Sequence, residues 1–228
     1  MPFFWDPTYL WVIPGLLLGL WAQARVKSAY HQYSRIPTRR GMSAAQAVKI
    51  MLEREGAGDV QITRTRGTLT DHYDPRTNTL HLSEGVYDSA SVAALGIAAH
   101  EAGHALQKHE NYAFLSLRSL MVPVVNIGSH LAWPIFLLGI LVSWEPLMTA
   151  GIILFSLVVL FSLVTLPVEF NASRRAMQML TSTGYLTQSE EAGAKKVLSA
   201  AAMTYVASFV SAMLQLIRLL ALANRRRD

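Results

Sequence analysis

His100 and His104 stand four residues apart, with Glu101 beside the first, in the run His100-Glu101-Ala102-Gly103-His104. On an α-helix, side chains at i and i+4 share a face, so two imidazoles at this spacing can reach one Zn²⁺ ion. Glu101 is turned about 100° round the same helix. A carboxylate there can take a proton from water near the metal without binding the metal itself. So short a motif recurs by chance, and its flanks must support it. Ser91-Val92-Ala93-Ala94-Leu95-Gly96-Ile97-Ala98-Ala99 reads as a buried, tightly packed helix, with Ser89 or Ser91 as its N-cap. Two histidines and a glutamate on so apolar a segment would be costly to bury without a partner such as a metal.

Catalytic zinc takes three protein ligands and keeps one position open. The metzincin pattern would need Gly at 107 and His at 110. The chain has Gln107 and Glu110, so that class is excluded. The common alternative is an acid on a second helix, and Glu169 stands out. In Leu166-Pro167-Val168-Glu169-Phe170-Asn171-Ala172-Ser173-Arg174-Arg175 it is a lone acid closing a long apolar run. It would be poorly solvated there unless it met a cation, either the metal or the guanidinium of Arg174 or Arg175. Asn171 or Ser173 could orient one histidine through a hydrogen bond. His109 and Glu110 follow too closely on the same helix, and His130 lies inside an apolar segment. All three are weaker ligands.

The elements that must position these residues belong to an unusually apolar chain, 52% hydrophobic and only 15% charged. That excludes an ordinary soluble domain of this size. Three stretches could span a bilayer: Thr8 to Ala24, Leu120 to Val142 and Met148 to Val168. A fourth, Ala200 to Ala223, is apolar but carries Gln215 and Arg218. Ala22-Gln23-Ala24 imitates a signal-peptidase site, yet the segment before the apolar run carries only an acid. A retained membrane helix is expected. The net charge of +5 does not point to nucleic acid, because the basic residues follow the apolar stretches and no nucleic-acid motif appears. Lys and Arg are absent before the first span and from Ser143 to Leu147, and abundant between Arg25 and Arg118. The positive-inside rule then places the metal site on the cytoplasmic side of the membrane. The tail Arg225-Arg226-Arg227 opposes that assignment if the fourth stretch crosses fully. Without cysteine, no disulfide is available.

Ser43-Ala44-Ala45-Gln46 is a capping box opening a short amphipathic helix. Val60 to Thr65, Thr68 to His72 and Thr79 to Leu82 read as three strands of a small antiparallel sheet just before the metal helix. Such a sheet can hold an extended peptide along its edge, or serve only as a structural meander. His72, Tyr73 and Asp74 cluster at its turn and are candidates for the cleft. Thr187-Gln188-Ser189-Glu190 is a second capping box. In the helix that follows, Thr204, Ser208, Ser211, Gln215 and Arg218 fall on one face. That stripe implies either a substrate groove beside the metal site or a helix lying in the interface with its stripe towards headgroups.

Three segments together carry a resemblance: Gly67-Thr68-Leu69-Thr70-Asp71-His72-Tyr73-Asp74-Pro75, His100-Glu101-Ala102-Gly103-His104-Ala105-Leu106-Gln107 and Pro167-Val168-Glu169-Phe170-Asn171-Ala172-Ser173. They resemble the bacterial neutral zinc metallopeptidases, the YugP-like membrane proteins, and the likeness runs along nearly the whole chain. The resemblance implies a membrane-bound zinc hydrolase with ligands at His100, His104 and Glu169. It also implies an Asp where this chain has Asn171. The expectation is therefore a mainly α integral membrane protein with a zincin-like catalytic region of gluzincin type, a small antiparallel sheet and three or four transmembrane helices. Its parts would be a membrane helix at 1–24, a cytoplasmic catalytic region at 25–118, a transmembrane hairpin at 119–169 ending on the third ligand, and a helical region at 170–228. The expected activity is hydrolysis of peptide bonds at the cytoplasmic membrane face, with one Zn²⁺, a protein or peptide substrate and lipid as partners. Glu101 would be the general base. His72, Tyr73, Tyr112 and Arg174 are candidates for stabilising the oxyanion. The alternatives are a non-catalytic scaffold or chaperone with a structural metal, and a zinc hydrolase of another substrate.

Overall fold

The computed structural model describes residues 7–224. These residues form two compact units. One gathers 23–115 and 168–203, the other 7–22, 116–167 and 204–224.

The first unit is built round a helix that is apolar on nearly every side. Ser91 caps it, its side chain accepting from the Ala94 N–H at 3.2 Å. The helix, α4, runs Val92–His109 after α1 (Ile13–Tyr33), α2 (Ala44–Arg54) and the four-residue α3 (Glu84–Tyr87). A helix apolar all round must be buried all round. Ala and Gly let its neighbours approach to backbone distance. A Cβ on Gly96 would touch Ala194, and one on Gly103 would lie 2.5 Å from the Ala172 carbonyl oxygen. The expected capping box opens α2, where Ser43 and Gln46 satisfy each other's backbone. Its apolar face, including Val48, Met51 and Leu52, joins the same core.

The sheet departs from expectation. Its strands are β1 (Gln61–Thr65), β2 (His72–Asp74) and β3 (Thr79–Ser83), in the order β1-β3-β2. β2 and β3 pair antiparallel, but β1 lies parallel to β3, so the sheet is mixed rather than antiparallel. The physical reason is the connection after β1. Gly67 and Leu69 take positive φ, and Thr70 Oγ1 donates back to the Arg66 carbonyl, so Thr68 and its neighbours form a turn instead of a strand. The chain re-enters the sheet only at His72. The tight turn held by Asp74, which accepts from the Arg76 N–H and the Thr77 hydroxyl, then returns β3 into the middle.

The second unit is helical, built from parts of long helices whose other ends belong to the first unit. α5 (Ala113–Leu141) and α6 (Glu145–Ser182) are joined by a three-residue turn, and α7 (Gln188–Asn224) follows the Thr187–Glu190 capping box. Small residues again set the approach, since a Cβ on Gly151 would lie 2.6 Å from Phe136 Cβ. Among the described residues, four helices are long and apolar enough to cross a membrane: Pro7–Tyr33, Ala113–Leu141, Glu145–Ser182 and Gln188–Asn224. They overrun the stretches read from hydropathy. In particular α6 continues past Val168, which puts Glu169 inside a helix rather than at the end of one. The tail Arg225-Arg226-Arg227 lies outside the described residues.

Candidate metal centre

α4 presents His100 and His104 on one face, and the stretch of α6 that packs against it presents Glu169. The three candidate ligand atoms lie within 4.8 Å of one another. Glu169 Oε2 is 3.2 Å from His100 Nε2 and 3.6 Å from His104 Nε2. The two rings meet edge to face, so their Nε2 atoms converge without stacking. Glu169 is 1% exposed. Arg175 does not reach it. That guanidinium forms a two-pronged pair with Glu110 at 2.6 and 2.7 Å and also donates to Asn171 Oδ1.

The far side of each imidazole is tied to protein. His100 Nδ1 lies 3.2 Å from Ser173 Oγ. His104 Nδ1 lies 3.0 Å from Oε1 of Gln107, whose Nε2 donates to the Val168 carbonyl and to Asn171 Oδ1. An imidazole that gives its Nδ1 hydrogen to Gln107 turns a lone pair towards Glu169. A nitrogen lone pair and a buried carboxylate facing each other need a cation or a proton between them. Two imidazole nitrogens and one carboxylate oxygen suit Zn²⁺. Burial alone would lower the His104 pKa, but contact with Glu169 and the nearby Glu101 charge hold it above the ordinary histidine value.

Glu101 stands outside the ligand group. Its Oε2 accepts from the Tyr73 backbone N–H at 3.1 Å, on the edge of β2 that faces away from β3. The Tyr73 hydroxyl points elsewhere, donating to Asn78 at 2.6 Å. Burial, then the charges of Asp59 and Asp74, push its pKa up and keep it neutral. His72 stacks on His81 and bonds the Thr70 carbonyl, and Arg174 is exposed. Of the expected supporting residues, Ser173 meets His100 directly, and Asn171 reaches His104 through Gln107.

Gln107 is the residue that sequence reasoning missed, since there it served only to exclude a ligand pattern. The available signal was its place three residues after His104 on an otherwise apolar helix. Thr204, Ser208, Ser211, Gln215 and Arg218 belong to the other unit. There Ser211 faces Gly15 of α1 so closely that a Cβ on Gly15 would lie 2.9 Å from the Ser211 Cα. Arg218 is buried over the Tyr9 ring at 3.7 Å and donates to the Thr8 hydroxyl.

Residues 8–224 match the protein family described as "Putative neutral zinc metallopeptidase". The chain is similar to the "Putative membrane protease YugP" of Bacillus subtilis (strain 168), 46% identical over 216 residues, which cover 95% of this chain and 96% of that protein. No solved structure matches it.

Proposed function

The chain belongs to the neutral zinc metallopeptidase family, and from that premise we propose that it is an integral membrane zinc endopeptidase of gluzincin type that cleaves protein substrates at the cytoplasmic membrane face. The observation that carries the reading is the largely buried convergence of His100 Nε2, His104 Nε2 and Glu169 Oε2, with Glu101 beside but not among them. His100, His104 and Glu169 would hold the ion. An ion held there would supply Lewis acidity, polarising a scissile carbonyl and making nearby water more acidic.

The remaining steps fall to the chain's own groups. Glu101 takes the proton of the attacking water on a carboxylate oxygen and delivers it to the leaving amine. The Tyr73 N–H holds that carboxylate by its hydrogen bond to Oε2 until it acts. Ser173 and Gln107 hold the imidazoles in place, so no ligand has to be recruited from solvent. A structural metal site would have no use for a base at Glu101, which weighs against a scaffold without chemistry. The decisive experiment is Glu101→Gln, which keeps shape and ligands but removes the base. Zinc content should stay normal while cleavage of a casein-like substrate falls by roughly two orders of magnitude or more. Unchanged cleavage by the zinc-loaded variant would refute the mechanism.

A further inference from the structure

We infer that Gln107 is the positioning residue of the metal centre: one buried amide selects the His104 nitrogen that binds and fixes where α6 presents Glu169. The inference rests on the ligand assignment proposed above.

The amide orientation follows from its surroundings. Gln107 is completely buried, and one end of its amide lies 2.8 Å from the Val168 carbonyl oxygen. A carbonyl oxygen can only accept, so the Gln107 nitrogen must face it. The same nitrogen lies 2.9 Å from Asn171 Oδ1. That oxygen also takes the Arg175 Nε hydrogen at 2.7 Å, and arginine can only donate, so Asn171 is oriented too. With both nitrogen hydrogens spent, Gln107 Oε1 is an acceptor, and the His104 Nδ1 beside it at 3.0 Å must carry the proton. Which imidazole nitrogen stays free is set by the hydrogen bond the other makes. Gln107 therefore leaves the Nε2 lone pair of His104 directed at Glu169.

The two acceptors have a second effect. Val168 immediately precedes Glu169 and Asn171 follows it by two, so the Gln107 amide grips the turn of α6 that carries the acid. One side chain thus joins the helix of the two histidines to the helix of the third ligand. The Glu110–Arg175 pair repeats the link one turn further along, through the same Asn171.

The test uses the full-length protein in detergent and two variants. Gln107→Met keeps the volume and removes both hydrogen-bonding functions. Asn171→Ala leaves Gln107 oriented by the Val168 carbonyl alone. Zinc affinity, measured by competition with a chromophoric chelator, should fall roughly 10- to 100-fold in Gln107→Met and less in Asn171→Ala. In the metal-free protein at high pH, the ¹⁵N resonances of His104 should show the Nδ1–H tautomer in the wild type and lose that pattern in Gln107→Met. A purely structural Gln107 would change the thermal midpoint and leave the tautomer alone. Wild-type zinc affinity in both variants, or an unchanged Nδ1–H pattern in Gln107→Met, overturns the inference. If Gln107→Met does not fold, the zinc affinity of Asn171→Ala decides, and a wild-type value there overturns the inference. His104→Ala and Glu169→Ala run as controls. Wild-type zinc binding in either would instead remove that residue from the ligand set.

Discussion

A carboxylate as buried as Glu169 needs a cation, and the cations that sequence alone could offer it were a metal or the arginines just beyond. Arg175 is spent on Glu110, whose carboxyl it holds below the ordinary glutamate value, and two histidine nitrogens face Glu169 instead. His100→Ala, His104→Ala and Glu169→Ala should each lose most of about one bound Zn²⁺ per chain, as read by elemental analysis. pH should act through His104. Because its pKa is raised in the metal-free fold, the contact with Glu169 stabilises that fold below about 6.5 and stops doing so as pH rises through the folded value. Zinc needs the deprotonated ring, so its affinity should fall as pH drops through the same range. Thermal unfolding of chelator-treated protein across pH, beside zinc titrations, checks both signs. His100, Glu101 and His104 were legible because their spacing is the signal. Gln107 was not, because a glutamine on a helix looks like surface until its neighbours are known.

Helix α4 shows how much of a motif lies in its unnamed positions. Ala102 and Gly103 fill the two places between Glu101 and His104, and Gly103 lets the Ala172 carbonyl approach where a methyl group would stand. Gly103→Ala should push that turn of α6 away, costing about 1–3 kcal/mol of stability and weakening zinc binding with it. A lower thermal midpoint with unchanged zinc affinity would separate packing from ligand placement. Removing the cap with Ser91→Ala should cost about 1 kcal/mol and spare zinc affinity, since it acts more than four turns from Gln107. Both capping boxes could be read directly and the cap of α4 narrowed to Ser89 or Ser91, because caps are made by residues a few positions apart. The sheet could not. Parallel pairing of β1 with β3 depends on where a loop carries the chain, and two residues of positive φ decide that more than any alternation of side chains.

On the scale of the whole chain, hydropathy located all four long apolar helices but not their ends, which run on beyond the apolar stretches. Charge placement then predicts sidedness. The chain has no cysteine, so single replacements report cleanly. Cysteine at Ser143, in the exposed turn between α5 and α6, should react with an impermeant thiol reagent from outside. Cysteine at the exposed Thr68 should react only after the cells are opened. The opposite pattern would move the metal centre to the outer face. One further consequence lies in the order of the ligands along the chain. His100 and His104 are synthesised before α5 and most of α6, whereas Glu169 comes after them. A nascent chain that displays both histidines still lacks its acid until that hairpin has been made and, on the reading above, delivered to the bilayer. On the proposed reading, translation order would then act as a safety catch, because the metal centre could be completed only once the chain has reached its membrane.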